Sequence, residues 1–173
     1  MSSQVVQQSS RVVAQPSQLQ QAIAGEMGVD FNDYGQRAQK YLGRDVFKGT
    51  PLTGEMLAKA ADQAYRKYGV MVPLELALAQ AQFESGMGRK GRNPFTNPYN
   101  VGEYDAGTKM RFKDTSSGVN AYYDLMARDY LKKNTMDGLL KNFVNYQGNR
   151  YASNPDYEKN LSGQVGFIRN FLK

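Results

Sequence analysis

The chain contains neither histidine nor cysteine. That removes Ser-His and Cys-His catalytic pairs, thiolate nucleophiles, disulfides and any metal site built on imidazole. Carboxylates are left as the default acid–base groups. One of them stands out by position. Leu74, Ala77, Leu78 and Ala81 recur at helical spacing, and Glu84 follows three residues after Ala81 and seven after Ala77. It therefore falls on the same inward stripe, in the last turn before Gly86 and Gly88. Partial desolvation and the negative end of the helix dipole both disfavour an ionised carboxyl there, as a general acid working near neutral pH requires. The two glycines clear side chains from the approach and leave room for a polymer strand. A plainer alternative stays open: a solvated last-turn glutamate, or one paired with Arg89 or Lys90.

These residues need a scaffold, and the chain of 173 residues is long enough for one good-sized core with an appended arm. Asp30 has the form of an N-cap for a helix bearing Phe31, Tyr34, Ala38, Tyr41 and Leu42 and stopped by Gly43. Thr53 caps a second helix with Met56, Leu57, Ala60, Ala61, Ala64, Tyr65 and Tyr68, ended by Gly69. Pro73 opens the helix of Glu84. Residues 89–115, rich in Asn, Pro and Gly, read as a loop and a short β-hairpin near 101–113. Ser117 starts a helix with Val119, Tyr122, Met126 and Tyr130 inward. Thr135 starts another with Leu139, Leu140, Phe143 and Val144. Asn154-Pro155 opens the last, with Tyr157, Leu161, Val165, Ile168 and Leu172. The expected fold is mainly α, with about six helices.

The first 21 residues hold seven glutamines among serines and valines, and form a low-complexity arm that cannot bury a core alone. Leu19 to Met27 reads as a short helix. A loop with Gly49 and Pro51 sets the expected boundary between an arm region, 1–50, and a main domain, 51–173. Met1 to Gln21 lacks the apolar core of a signal peptide, and no stretch approaches the roughly 20 apolar residues that span a bilayer. The net charge of +6 favours anionic partners, but the positive residues are scattered. Lys132-Lys133 and the Arg89-Lys90-Arg92 group are too small for a nucleic-acid face, so no nucleic-acid partner is expected.

Ala77-Leu-Ala-Gln-Ala-Gln-Phe-Glu84-Ser85-Gly86-Met87-Gly88 resembles the A-x-A-x-x-E-S-G-x-G signature of the glucosaminidase family of bacterial and phage cell-wall hydrolases. That family includes flagellar rod muramidase-like proteins and belongs to the lysozyme and lytic transglycosylase superfamily. Further pieces follow in order. Asn97-Pro98-Tyr99-Asn100-Val101-Gly102 resembles the family's N-L-F-G-I-K loop. Phe112-Lys113-Asp114 and Gly118 to Met126 resemble its F-x-x-Y-x-S-x-x-E-S-I-x-D-Y-x-x-L-L segment. Tyr151-Ala152-Ser153-Asn154-Pro155-Asp156-Tyr157 resembles its Y-A-T-D-P-x-Y turn. The resemblance spans roughly residues 53–173. Met87 replaces the usual Trp, Asn154 stands where the family often has Asp, and the hairpin is short.

The resemblance implies a lysozyme-like α+β fold with a small β-hairpin lobe beside the catalytic helix. It implies cleavage of the β-1,4 glycan backbone of peptidoglycan with Glu84 as general acid. The second carboxylate would lie on the hairpin: Glu103 is the closest match, Asp105 its rival and Asp114 a weaker candidate. Tyr99, Asn100, Tyr104 and Tyr151 become the expected substrate contacts, through ring stacking on sugars and hydrogen bonds to N-acetyl groups. No metal or cofactor is expected. Two alternatives are a lytic transglycosylase with Glu84 alone, and a non-catalytic virion or wall-binding module of the same fold. The arm and the missing signal lead to an expectation of a phage particle, joined through its structural proteins, or of delivery to the periplasm or wall without a signal peptide.

Overall fold

The computed structural model describes residues 29–91, 93–102 and 111–173. The Gln-rich arm, the short helix at Leu19 to Met27, and the centre of the expected hairpin at 103–110, with Glu103, Tyr104 and Asp105, lie outside the described residues. The helices are α1 (Phe31–Leu42), α2 (Gly54–Tyr68), α3 (Leu74–Ser85), α4 (Thr115–Leu125), α5 (Met136–Lys141) and α6 (Tyr157–Phe171). A 3-10 turn, Asp45–Phe47, follows α1, and α4 runs on into a π-helical stretch, Met126–Leu131.

The helix starts follow from local chemistry. The Asp30 carboxylate accepts from the amides of Asn32 and Asp33, Thr53 from Met56, and Thr135 from Gly138. Gly69 and Gly86 close α2 and α3 in the left-handed conformation, at φ +70° and +56°. The helix expected from Ser117 begins earlier. Asp114 is its cap, accepting from both the amide and the hydroxyl of Ser117, and these bonds hold the Asp114 carboxyl below its usual range.

The structure alters the expectation for α3. A single inward stripe was expected, yet Leu74, Leu76, Ala77, Leu78, Ala79, Gln80 and Ala81 are all buried. The helix is the central element, and the alanines let its neighbours approach from several sides. α6 packs along it, α1 packs on α2, and α2 packs on α4. α1 precedes the boundary expected near Pro51, and its Phe31, Tyr34, Ala38, Tyr41 and Leu42 belong to the same hydrophobic cluster as α3. The α1–α2 crossing is close: a Cβ on Gly54 would sit 2.0 Å from the Gly35 carbonyl oxygen. The hydroxyls of Tyr34 and Tyr123 meet at 2.8 Å, and Tyr34 donates to the Val72 carbonyl.

No hairpin lobe is seen among the described residues. Their single antiparallel bridge joins Val144 to Arg150, around a turn with Gly148 at φ +85°. The Asn145 side chain accepts from the amides of Gln147 and Asn149, and the Tyr151 amide donates to the Phe143 carbonyl. Among the described residues no helix is long and apolar enough to cross a membrane.

Candidate active site

Glu84 lies half-buried in the last turn of α3. The segment that follows is bound back onto the helix by Ser85. This buried hydroxyl donates to the Pro98 carbonyl at 2.5 Å and accepts from the Gly88 amide at 2.7 Å. The helix end, the Gly86–Gly88 turn and the 97–101 loop are thus tied at one oxygen. Met87, with φ +64° and no exposure, plugs the core beneath, and its carbonyl accepts from the Thr50 hydroxyl at 2.6 Å. Gly88 has to be small as well as left-handed, because a Cβ there would meet Pro51 at 2.9 Å.

The 97–101 loop is closed by its own side chain. Asn97, buried, donates to the Val101 carbonyl at 3.0 Å and accepts from the Val101 amide at 2.9 Å. This presents Asn100, in the left-handed conformation at φ +54°, to the helix end. The Asn100 amide donates to the Glu84 carbonyl oxygen at 2.8 Å and to carboxylate Oε2 at 3.3 Å. Two expected site residues, Glu84 and Asn100, are brought together.

Tyr151, from the far end of the chain, lies within the electrostatic reach of Glu84. Burial raises its phenol pKa well above the usual 10.0, and the negative charge of Glu84 adds to that. The Tyr157 phenol is raised for the same two reasons, partly offset by a hydrogen bond with Gln80. Both tyrosines therefore stay neutral across ordinary pH within the field of the carboxylate. Gln80, one turn before Glu84, is buried; its amide nitrogen donates to the Tyr157 hydroxyl at 3.1 Å and its oxygen accepts from Tyr122.

The turn that carries Tyr151 is pinned by an ion pair absent from the sequence-based candidates. Glu158, in the first turn of α6, takes the Arg150 guanidinium on both oxygens at 2.8 Å and accepts the Phe143 amide at 3.0 Å. The Arg150 bonds lead in holding the Glu158 carboxyl down at about 2. Arg150 and Glu158 flank the Y-A-S-N-P-D-Y turn, which is the one sign of their pairing in the sequence.

Tyr99 requires a correction. It was expected to stack on substrate, but it is 1% exposed, with its ring against Tyr122 at 3.6 Å. Its hydroxyl has no hydrogen-bond partner among the described residues. A ring so enclosed offers no face to a sugar. An accessible aromatic next to Glu84 in α3 is Phe83, 39% exposed, whose ring meets Tyr157 edge-on at 6.4 Å. Asp114 serves as the α4 cap. Among the described residues no cluster gathers that could hold a metal ion.

The model of one protein family, glucosaminidase, described as mannosyl-glycoprotein endo-beta-N-acetylglucosaminidase, matches residues 58–166. These residues run from within α2 into α6 and include Glu84, Asn100 and Tyr151. No curated protein matches the chain.

Proposed function

Because the chain belongs to the glucosaminidase family and is a glycoside hydrolase acting on peptidoglycan, we propose that it cuts the β-1,4 glycan backbone with Glu84 as general acid. The observation that carries this reading is the setting of that one carboxyl group. It is half-buried at a helix end, with the Asn100 amide on Oε2 and two neutral phenols nearby. The proton passes from Glu84 to the bridging oxygen as the bond from that oxygen to the anomeric carbon breaks. Positive charge develops on the sugar ring, and water delivers hydroxide to the anomeric carbon. The water's remaining proton returns to a carboxylate, for which Glu103 is the proposed second group, on a hairpin lobe across 101–113 that completes a lysozyme-like cleft. Asn100, Tyr104 and Tyr151 hold the N-acetyl groups and hydroxyls of the strand.

Glu84→Gln keeps the shape and cannot donate the proton. It is expected to cost on the order of a hundred- to ten-thousand-fold in the rate of peptidoglycan gel clearing, with an unchanged circular dichroism spectrum. Clearing by the variant at the wild-type rate removes the assignment. Glu103→Gln should weaken clearing more than Asp105→Asn or Asp114→Asn. If all three are silent, lytic transglycosylation with Glu84 alone becomes the better account. The phenols of Tyr151 and Tyr157 beside Glu84 favour that second reading, since neutral donors can orient the substrate's own acetamido or hydroxyl group. Anhydro products in mass spectra of the digest separate the two.

The wall is reached, in this proposal, on a phage particle, with the Gln-rich arm of the 1–50 region ordered on a structural protein of the virion. Removing residues 1–25 leaves α1 in place, so gel clearing should survive while co-purification with particles is lost. Truncated protein that still joins particles refutes the anchoring role.

A further inference from the structure

We propose that a cavity on the side of α3 opposite Glu84 binds the carboxylate-bearing stem peptide of the glycan strand, an inference that rests on the peptidoglycan reading above. The cavity measures about 520 Å³ and is bordered by Arg44, Arg89 and Lys90, with Gln82, Gln164 and Phe167 among its walls. That volume lies within the roughly 300–1,000 Å³ of small-ligand sites. Gln82 and Glu84 are two residues apart on α3, so they project about 200° apart around the helix. The Gly86 turn that ends α3 also lines the cavity.

The charge in this cavity is one-sided. Among the described residues no acidic side chain lines it. Elsewhere Arg66, Arg128, Arg150 and Arg169 each meet a carboxylate, whereas Arg44, Arg89 and Lys90 form no ion pair among the described residues. Arg44 and Arg89 are half-buried, and a cation partly withdrawn from water without a counter-ion is costly. Both are held in place. The Arg44 guanidinium lies 4.9 Å from the Phe171 ring and 5.1 Å from that of Tyr41. Arg89 sits 5.7 Å from the Phe47 ring, and its Nε donates to the Gly86 carbonyl at 2.7 Å. Fixed guanidinium planes recognise carboxylates through paired hydrogen bonds.

The amide floor suits a peptide. Gln82 Oε1 accepts from the Tyr41 hydroxyl at 2.9 Å and from Gln164 Nε2 at 3.0 Å, so the Gln82 amide nitrogen is left without a partner among the described residues. A phosphodiester polymer would be met by cations repeated along an open groove. Here three cations converge on one concavity beside apolar Phe167. A strand crossing the C-terminal end of α3 sets a sugar against Glu84 and the peptide of a neighbouring sugar against this cavity.

The test uses the full chain and a free stem tetrapeptide, its carboxyl methyl ester, and a glycerol-phosphate polymer as probes in titration calorimetry. The tetrapeptide should bind. Esterification, or Lys90→Glu at its exposed position, should weaken binding about tenfold, the loss expected for one charge-assisted contact. On intact peptidoglycan Lys90→Glu and Arg89→Gln should raise KM and leave kcat, with no change on glycan stripped of its peptides. Absence of tetrapeptide binding, equal binding of the ester, tighter binding of the glycerol-phosphate polymer, or equal losses on both glycans would each overturn the proposal. If the wild-type chain binds the peptide but cleaves neither glycan, the hydrolase reading fails and the peptide site stands.

Discussion

The side-chain amide of Asn100 spans the end of α3, donating at once to the backbone carbonyl of Glu84 at 2.8 Å and to its carboxylate at 3.3 Å. One residue of the loop thus binds both the backbone and the carboxyl group of Glu84, one residue before the end of the helix. The arrangement depends on an unusual backbone, since Asn100 is left-handed, a region that Asn tolerates and most residues do not.

Asn100→Ala removes the donor and strains the loop, and kcat/KM on peptidoglycan should fall. A hydrogen bond to a charged group contributes about 1.5–3 kcal/mol, so the fall should be about ten- to a hundredfold. Asn100→Asp keeps the backbone preference but sets a second negative charge beside Glu84. Like charges favour the protonated carboxyl, so the upper limb of the pH–rate profile should move to higher pH. A profile that stays in place means the contact does not tune the acid.

Glu158 makes a pH prediction for stability. Arg150 and the Phe143 amide hold its carboxyl at about 2, below the ordinary 4.5. The folded protein therefore favours the ionised group. The resulting stability is fully present above about pH 4.5 and is lost as pH falls toward 2. In urea titrations, the gap between wild type and Glu158→Gln should be constant from pH 7 to about 5 and should close in more acidic solution. A gap independent of pH would falsify the clamp. At neutral pH the variant should also lose activity, because the Tyr151 turn is then released.

Gly118 stands where α4 crosses the loop ahead of Asn97. A Cβ there would meet the Thr96 carbonyl oxygen at 2.0 Å and Asn97 Cα at 3.2 Å. Gly118→Ala should push the loop away, costing about 1–3 kcal/mol of stability as overpacking does. Activity should drop beyond what unfolding explains, since Asn100 moves with the loop. Equal melting temperatures for wild type and variant would show that the crossing has slack.

Tyr99→Phe removes a buried hydroxyl that has no partner among the described residues. A buried unsatisfied polar group costs about 1–3 kcal/mol, so the variant should be no less stable than wild type, with gel clearing intact. A marked fall in melting temperature would reveal a partner for that hydroxyl.

Part of this protein is written in short stretches of sequence. The caps at Asp30, Thr53 and Thr135 and the glycine ends at 69 and 86 act within three or four residues, so they are legible without a fold. Glu84 is legible for the same reason: its place follows from the spacing of Ala77 and Ala81 and from the two glycines beyond. Periodicity could not reveal that α3 is buried nearly all round, because that depends on how many partners surround it. Nor could it reveal that Tyr99 turns inward onto Tyr122, since an aromatic residue in a loop suits a core or a cleft equally well in sequence. Asp114, a weaker candidate for the second carboxylate by resemblance, is the cap of α4, its side chain accepting from the Ser117 amide three residues on. The resemblance of its turn put Tyr151 at the site of Glu84, but the Arg150–Glu158 clamp, and the place of Tyr157 in the field of a carboxylate more than seventy residues earlier, were decided by packing alone. Sequence records the chemistry each residue carries and its neighbours along the chain, whereas the fold chooses which distant groups meet, through burial and hydrogen-bond geometry summed over the whole core.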